Sequence, residues 1–276
     1  MPAYARPTRL ADALGVLAAG HPAILAGGTD IFAAPDRASS PGGILDLTGI
    51  ATLRGIRKTP QGWSIGATTT WSDLLAAKLP PAFDALKLAA REIGGEQVQN
   101  TGTIAGNLCN ASPAADGMPA LLALDASVEL SGPQGTRVLA IADFVLGPRK
   151  TARRADELLT AILVPKPAHS ATSAFRKLGA RKYLLISIAV VAVVLESRKG
   201  VVEAARVAVG ACSPVARRLP ALEAALAGRP LDASLADLAL PEHFSPLAPI
   251  DDVRATAAYR RDAALELVRR ALRDLA

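Results

Sequence analysis

Apolar residues recur at helical spacing over residues 8–19, and Gly20-His21-Pro22 breaks the run just before the short apolar stretch Ala23-Ile24-Leu25. The pattern predicts a helix capped by Thr8, a turn and a strand. Residues 35–43 are turn-rich, 44–47 and 62–67 read as short strands, and 72–79 read as a helix stopped by Pro80-Pro81. A further helix is predicted over 83–93, ended by Gly94-Gly95, then a short buried helix over 118–124 and strands over 126–130 and 158–164. Lys166-Pro167-Ala168-His169-Ser170 marks a domain boundary. Beyond it, strands over 184–195 and 203–210 are predicted hairpin partners, followed by helices over 219–227, 235–240 and 262–275. The chain is therefore expected to be mixed α+β. Its 276 residues, 50% of them hydrophobic, suffice for two globular units at a prior of about 150 residues per domain.

Two glycine-rich segments interrupt this pattern, Ala26-Gly27-Gly28-Thr29-Asp30 and Asn100-Thr101-Gly102-Thr103-Ile104-Ala105-Gly106-Asn107. Glycine leaves no side chain in the way, so backbone N–H groups in such segments are able to converge on a phosphate. Either segment alone is also compatible with an ordinary tight turn. Neither carries the Lys-Ser/Thr pair of a triphosphate-binding P-loop. Neither meets the Rossmann pattern of a following helix with an acidic residue about 20 positions on. Together they suggest a cradle for a dinucleotide.

Composition narrows the alternatives. Cys109 and Cys212 are the only cysteines, so neither a disulfide framework nor a Cys₄ metal or iron–sulfur site is built from this sequence, and His21, His169 and His243 are isolated. No metal site is expected. The formal charge of +6 is spread over separate basic pairs, and aromatics make up only 4%, which argues against a nucleic-acid surface and for anionic cofactors. The longest apolar run, 184–195, is broken by Ser187 and falls short of the roughly 20 residues that span a bilayer. With no secretory leader pattern, a cytoplasmic protein without membrane partners is expected.

The two segments and their surroundings resemble the FAD-binding medium subunit of the molybdenum hydroxylases, the family of xanthine dehydrogenase, aldehyde oxidoreductases and carbon monoxide dehydrogenase. The resemblance covers nearly the whole chain. It rests on the first glycine segment, Ile65-Gly66-Ala67, the block from Gly102 to Asn107 with Ser112-Pro113-Ala114-Ala115-Asp116, Arg149-Lys150-Thr151, Phe175-Arg176-Lys177 with Arg181, and Tyr259-Arg260. It implies a PCMH-type FAD-binding domain over 1–167, with α+β subdomains at about 1–55 and 56–167. A C-terminal CO-dehydrogenase-flavoprotein-like domain over 168–276, a small antiparallel sheet packed by helices, would follow. The implied role is electron exit. A large molybdopterin-binding subunit oxidises substrate, a small subunit's 2Fe-2S centres pass electrons on, and FAD delivers them to an acceptor such as NAD.

The resemblance further implies a noncovalent FAD whose diphosphate lies between a first cradle, Ile24, Leu25, Ala26, Gly27, Gly28, Thr29, Asp30 and Ile31, and a second, Thr103, Ile104, Ala105, Gly106 and Asn107. Asp116, Leu159 and Lys177 stand at flavin-contacting positions, and Tyr183 is a candidate neighbour of the flavin ring. Physical chemistry supports hydroxyl donors at Thr29 and Thr103 and a cation at Lys177 beside an anionic group, whereas Asp116 is suited only to neutral donors. Each has a plainer alternative: Asp116 as cap of the 118–124 helix, Lys177 as a solvated cation, Leu159 and Tyr183 as packing, Asn107 as a partner of loop backbone. Ala105 departs from the family's glycine, tolerable where φ is negative, and Gln99 stands where a basic residue is common. The competing readings are a self-contained oxidase of the vanillyl-alcohol oxidase type and a flavin-free scaffold subunit, the latter motivated by Ala105.

Overall fold

A computed structural model describes residues 4–33, 42–181 and 185–276. Helix α1 (Leu10–Gly20) buries Ala13 and Leu17 against a parallel three-stranded sheet of β1 (Tyr4–Ala5), β3 (Ile44–Asp46) and β2 (Ala23–Leu25), in that order. The helix begins two residues after the expected cap: Arg9 occupies the N-cap position and Thr8 does not cap it. His21, at φ 47°, ends it with its N–H on the Leu17 carbonyl. Most of the turn-rich stretch 35–43 lies outside the described residues.

The next layer is an antiparallel five-stranded sheet in the order β4 (Ile56–Thr59), β5 (Gly62–Gly66), β10 (Leu158–Pro165), β6 (Ser127–Gly132) and β7 (Gly135–Ala140). Between β7 and β10, the two-stranded ribbon β8 (Val145–Gly147) and β9 (Lys150–Thr151) follows the short helix Ile141–Phe144. Five further helices separate β5 from β6: α2 (Trp71–Ala76), α3 (Asp84–Glu92), α4 (Glu96–Thr101), α5 (Ile104–Asn110) and α6 (Gly117–Ala123). Thr70 starts α2 with a reciprocal capping box to Asp73.

The last unit is a four-stranded antiparallel sheet, β11 (Thr172–Leu178), β12 (Ala189–Arg198), β13 (Val201–Gly210) and β14 (Arg217–Arg218), with the nineteen-residue C-terminal helix Ala257–Leu275. Lys199 (φ 50°) and Gly200 (φ 75°) form the two-residue turn joining β12 to β13, with the double positive φ that matches strand twist in tight hairpins. Strand β12 reads as a continuous apolar run because both faces are covered. Val190, Ala192 and Val194 join the core formed with α3 and α6, while Ala189, Val191, Val193 and Leu195 pack with the C-terminal helix. The run expected over 184–195 thus forms a strand only from Ala189, and Leu184 lies outside the described residues. The predicted last helix starts five residues earlier than expected, and residues 235–240 fall in and beyond a 3-10 turn, Ala233–Leu238, rather than an α-helix.

Arg260, almost fully buried, anchors this unit by donating to the carbonyls of Ile188 (2.6 Å) and Ala211 (3.2 Å) and to the Asp252 carboxylate (2.7 Å). The Arg254 backbone N–H, helped by Arg260 and the Ala255 N–H, pulls the Asp252 carboxyl down to about 2, outweighing the cost of its desolvation. A folded-state value below the unfolded one of about 3.9 means that the stabilisation is present above pH ~4 and is lost as pH falls through ~2. Denaturant titrations between pH 5 and 2 are accordingly expected to show an acid-induced loss of stability that is smaller in Asp252→Asn, a variant already weakened at neutral pH because it strips a buried guanidinium of its counter-charge.

Candidate functional site

The strand β2 delivers the first glycine segment directly against the second. A Cβ on Gly27 would lie 2.2 Å from the Thr101 carbonyl oxygen and 2.7 Å from the Gly102 Cα, so the two backbones touch and leave no room for a side chain. Gly28 sits at φ 71°, and a Cβ there would also meet the Phe32 ring at 2.7 Å. The second segment, expected as one loop, is instead two short helices, α4 and α5, hinged at Gly102. Thr103 supplies the cap, its hydroxyl oxygen accepting from the Gly106 N–H at 2.9 Å. Hydrogen bonds from Trp71 N–H to the Gly102 carbonyl and from Ile104 N–H to the Thr69 carbonyl lace the hinge to the start of α2. Ala105 falls inside α5 at negative φ, so its methyl group is accommodated.

Between the segments opens a cleft of about 650 Å³. Among the described residues, the backbone N–H groups of Gly27, Gly28, Thr29 and Ala105 make no hydrogen bond to the chain. Arg149 and Arg153 add positive charge to the same cleft, and Ile24, Leu47, Trp71, Ile93, Val98, Leu158 and Leu159 give it apolar walls. The side-chain oxygen of Asn107, a lining residue, is buried without a partner among the described residues. Unspent N–H donors and guanidinium groups suit a diphosphate, apolar walls suit flat ring systems, and the lone amide oxygen suits a ligand N–H or O–H. These residues fit FAD.

Of the positions expected at the site, Ile24, Ala26 to Ile31, Thr103, Ala105 to Asn107 and Leu159 line the cleft. Leu25 and Ile104 are buried beneath it as core. Asp116 and Lys177 are not among the lining residues; they form an ion pair of 2.6 Å with both side chains 8% exposed, completed by the Ser187 hydroxyl donating to Asp116. Asp116 occupies the position before α6 but does not cap it, which removes the capping alternative. Burial pushes the Asp116 carboxyl above the usual range, against the pull of Lys177 and Ser187. Lys177 also donates to the Glu92 carbonyl (3.2 Å), and Gln99 donates to those of Arg91 and Ile93, so both side chains brace the 91–93 turn from which Ile93 enters the cleft. Tyr183 lies outside the described residues. Arg153, Trp71, Ile93 and Val98 carry no role in the sequence reading, and Arg149, read there with Lys150 as docking surface for partner subunits, lies in the cleft lining instead.

Residues 1–167 match the FAD binding domain in molybdopterin dehydrogenase, and residues 173–275 match the CO dehydrogenase flavoprotein C-terminal domain. The chain is 37% identical to the carbon monoxide dehydrogenase medium chain of Afipia carboxidovorans, covering 98% of this chain and 94% of that one. It is 32% identical to a putative xanthine dehydrogenase FAD-binding subunit of Escherichia coli K12, covering 93% and 90%. A chain in the reconstituted CO dehydrogenase from Oligotropha carboxidovorans superposes with a TM-score of 0.92 at 31% identity, over the full length of both. The chain belongs to the FAD-binding medium subunits of the molybdenum hydroxylases, oxidoreductases assembled from several subunits. No helix among its described residues is long and apolar enough to cross a membrane.

Breaking a buried ion pair strands the remaining charge, at a cost of about 3–5 kcal/mol. Lys177→Met is expected to destabilise the protein by that order in urea unfolding, and adding Asp116→Asn should recover a clear part of the loss. Additive losses in the double variant would mean that the two side chains are not coupled.

Proposed function

We propose that the cleft holds FAD noncovalently and that this chain is the electron exit of its complex. On this reading electrons reach it from 2Fe-2S centres on a small subunit, after substrate oxidation at a molybdenum cofactor on a large subunit, and leave for an external acceptor such as NAD. The observation that carries the reading is one cleft between the glycine segments lined by two arginines and by residues, Gly27, Gly28, Thr29 and Ala105 among them, whose backbone N–H groups make no hydrogen bond among the described residues. Bound FAD would supply the exchange between one-electron and two-electron transfer that such an exit needs.

The chain's own residues bind, orient and exclude water. Gly27 lets the two segments close on each other, the N–H groups and arginines offset the diphosphate charge, and Asn107 offers an acceptor that fixes orientation. Ile24, Trp71, Leu158 and Leu159 keep water from the ring faces. Asp116 and Lys177 act behind this wall by holding the 91–93 turn. The scaffold alternative loses its motive, because the Ala105 methyl sits at a helical position. A stand-alone oxidase would need a substrate domain, whereas residues 173–275 match the C-terminal domain of medium subunits.

Gly27→Ala and Gly28→Val should each weaken FAD binding about tenfold to a hundredfold, as expected for about 1–3 kcal/mol of steric overlap at Gly27 and of left-handed backbone strain at Gly28, in fluorescence titrations of apoprotein. Unchanged affinity in the folded variants would remove the glycine segments from the site. Acid precipitation of the purified chain should leave close to one equivalent of FAD in the supernatant, and flavin retained in the pellet would exclude a noncovalent site. The isolated chain should support dye-linked or NADH-linked flavin turnover at most, with no oxidation of a purine, aldehyde or N-heterocycle until the partner subunits are added. Substrate oxidation by the chain alone would overturn the proposed division of labour.

A further inference from the structure

Asp30 poses a problem for a cleft that is to hold a diphosphate, because its carboxylate lies in the lining and would repel the ligand. The structure answers it with Arg149. The Arg149 guanidinium lies 3.7 Å from the Asp30 carboxylate and donates to the side chain of Asn110, the last residue of α5, while the Asn110 amide donates to Asp30 at 2.8 Å. Asp30, Asn110 and Arg149 all line the cleft, so this cluster ties the end of the first glycine segment to the end of the second across their shared mouth.

The backbone beneath Arg149 is strained. Arg149 has φ 58° and Ala111 φ 48°, and the Arg149 N–H donates to the Ala111 carbonyl at 2.9 Å. Two non-glycine residues in the left-handed region are costly. The ion pair they present is about half exposed on both sides, and pairs of that kind contribute little to stability. Arg149 also donates to the Asn110 carbonyl at 3.2 Å, so it ties the end of α5 while the ion pair itself adds little, and what the arrangement places in the cleft is a guanidinium.

We propose that Arg149 is a cofactor-retaining residue: it neutralises Asp30 and offers its remaining guanidinium charge to the FAD diphosphate, so that it sets how long the cofactor stays bound. This rests on the cleft being the FAD site. Lys at this position would keep the charge but not the fork that reaches Asp30, Asn110 and a phosphate together.

The test is the FAD dissociation rate of the full chain, followed by flavin fluorescence on dilution into an excess of an FAD-accepting apoflavoprotein. Arg149→Asn removes the charge while keeping a residue that tolerates the left-handed region, so the fold is not put at risk. It should release FAD at least about tenfold faster, the loss expected for one charge-assisted hydrogen bond, and Arg149→Lys should recover part of that. Asp30→Asn alone should leave the rate unchanged or slow it, and Asp30→Asn added to Arg149→Asn should slow release relative to Arg149→Asn. Release from the wild type should also quicken with ionic strength more steeply than from Arg149→Asn. A release rate for Arg149→Asn within twofold of wild type would overturn the proposal, as would an Asp30→Asn variant that loses FAD as fast as Arg149→Asn, which would make the pair a mere tether. A wild-type chain that binds no FAD would instead sink the cleft assignment itself.

Discussion

The backbone contact between Gly27 and Thr101–Gly102 is the constraint on which the rest of the site depends. With 2.2 Å between a would-be Cβ and the Thr101 carbonyl, the first glycine segment has only one residue type available at its point of closest approach. The same contact explains why the second segment bends at Gly102 between two short helices: the hinge turns α5 so that Ala105, Gly106 and Asn107 face the same space as Gly27, Gly28 and Thr29. Among the described residues the donors left over on each side have no partner.

The C-terminal unit supports the cleft from behind. Lys177 comes from β11, Asp116 from the residue before α6, and Glu92 from the end of α3, so one buried ion pair joins three elements that are distant in sequence. The apolar side of β12 and β13 continues into the core around α3 and α6, which fixes this unit against the helices that carry Ile93 and Val98. Stability and site geometry are thus linked: loosening the sheet frees the turn that forms one cleft wall.

Much of this was legible in the sequence where local chemistry decides. The helices α1, α3 and α6 and the strands β2, β3, β5, β6 and β10 follow from apolar spacing bounded by glycine and proline. Strand β11 carries no such signal, since Arg176 and Lys177 break its apolar pattern; it is held in place by pairing with β12 and by the tertiary partners of those charges. The second glycine segment looked like a loop because Gly102 and Gly106 resemble turn residues, yet burial of Ile104, Ala105 and Leu108 makes helix the better solution on either side of the hinge. The cleft residues Gly27, Gly28, Thr29 and Asn107 were visible as a motif. The partnership of Asp116 with Lys177 was not, because nothing local links positions 61 residues apart. Arg149 was visible as part of a motif, but its place in the cleft was not, since that depends on a left-handed backbone and on Asp30 and Asn110, both far along the chain.

If the cleft holds FAD, its diphosphate takes up N–H groups that the two glycine segments leave unpaired among the described residues. Amide hydrogen exchange of the purified chain, resolved to single residues and compared with and without FAD, tests it most directly. Gly27, Gly28, Thr29 and Ala105 are expected to exchange fast in the apoprotein and to become strongly protected on binding. Protection concentrated elsewhere, with these four amides still exchanging freely in the FAD complex, would contradict it.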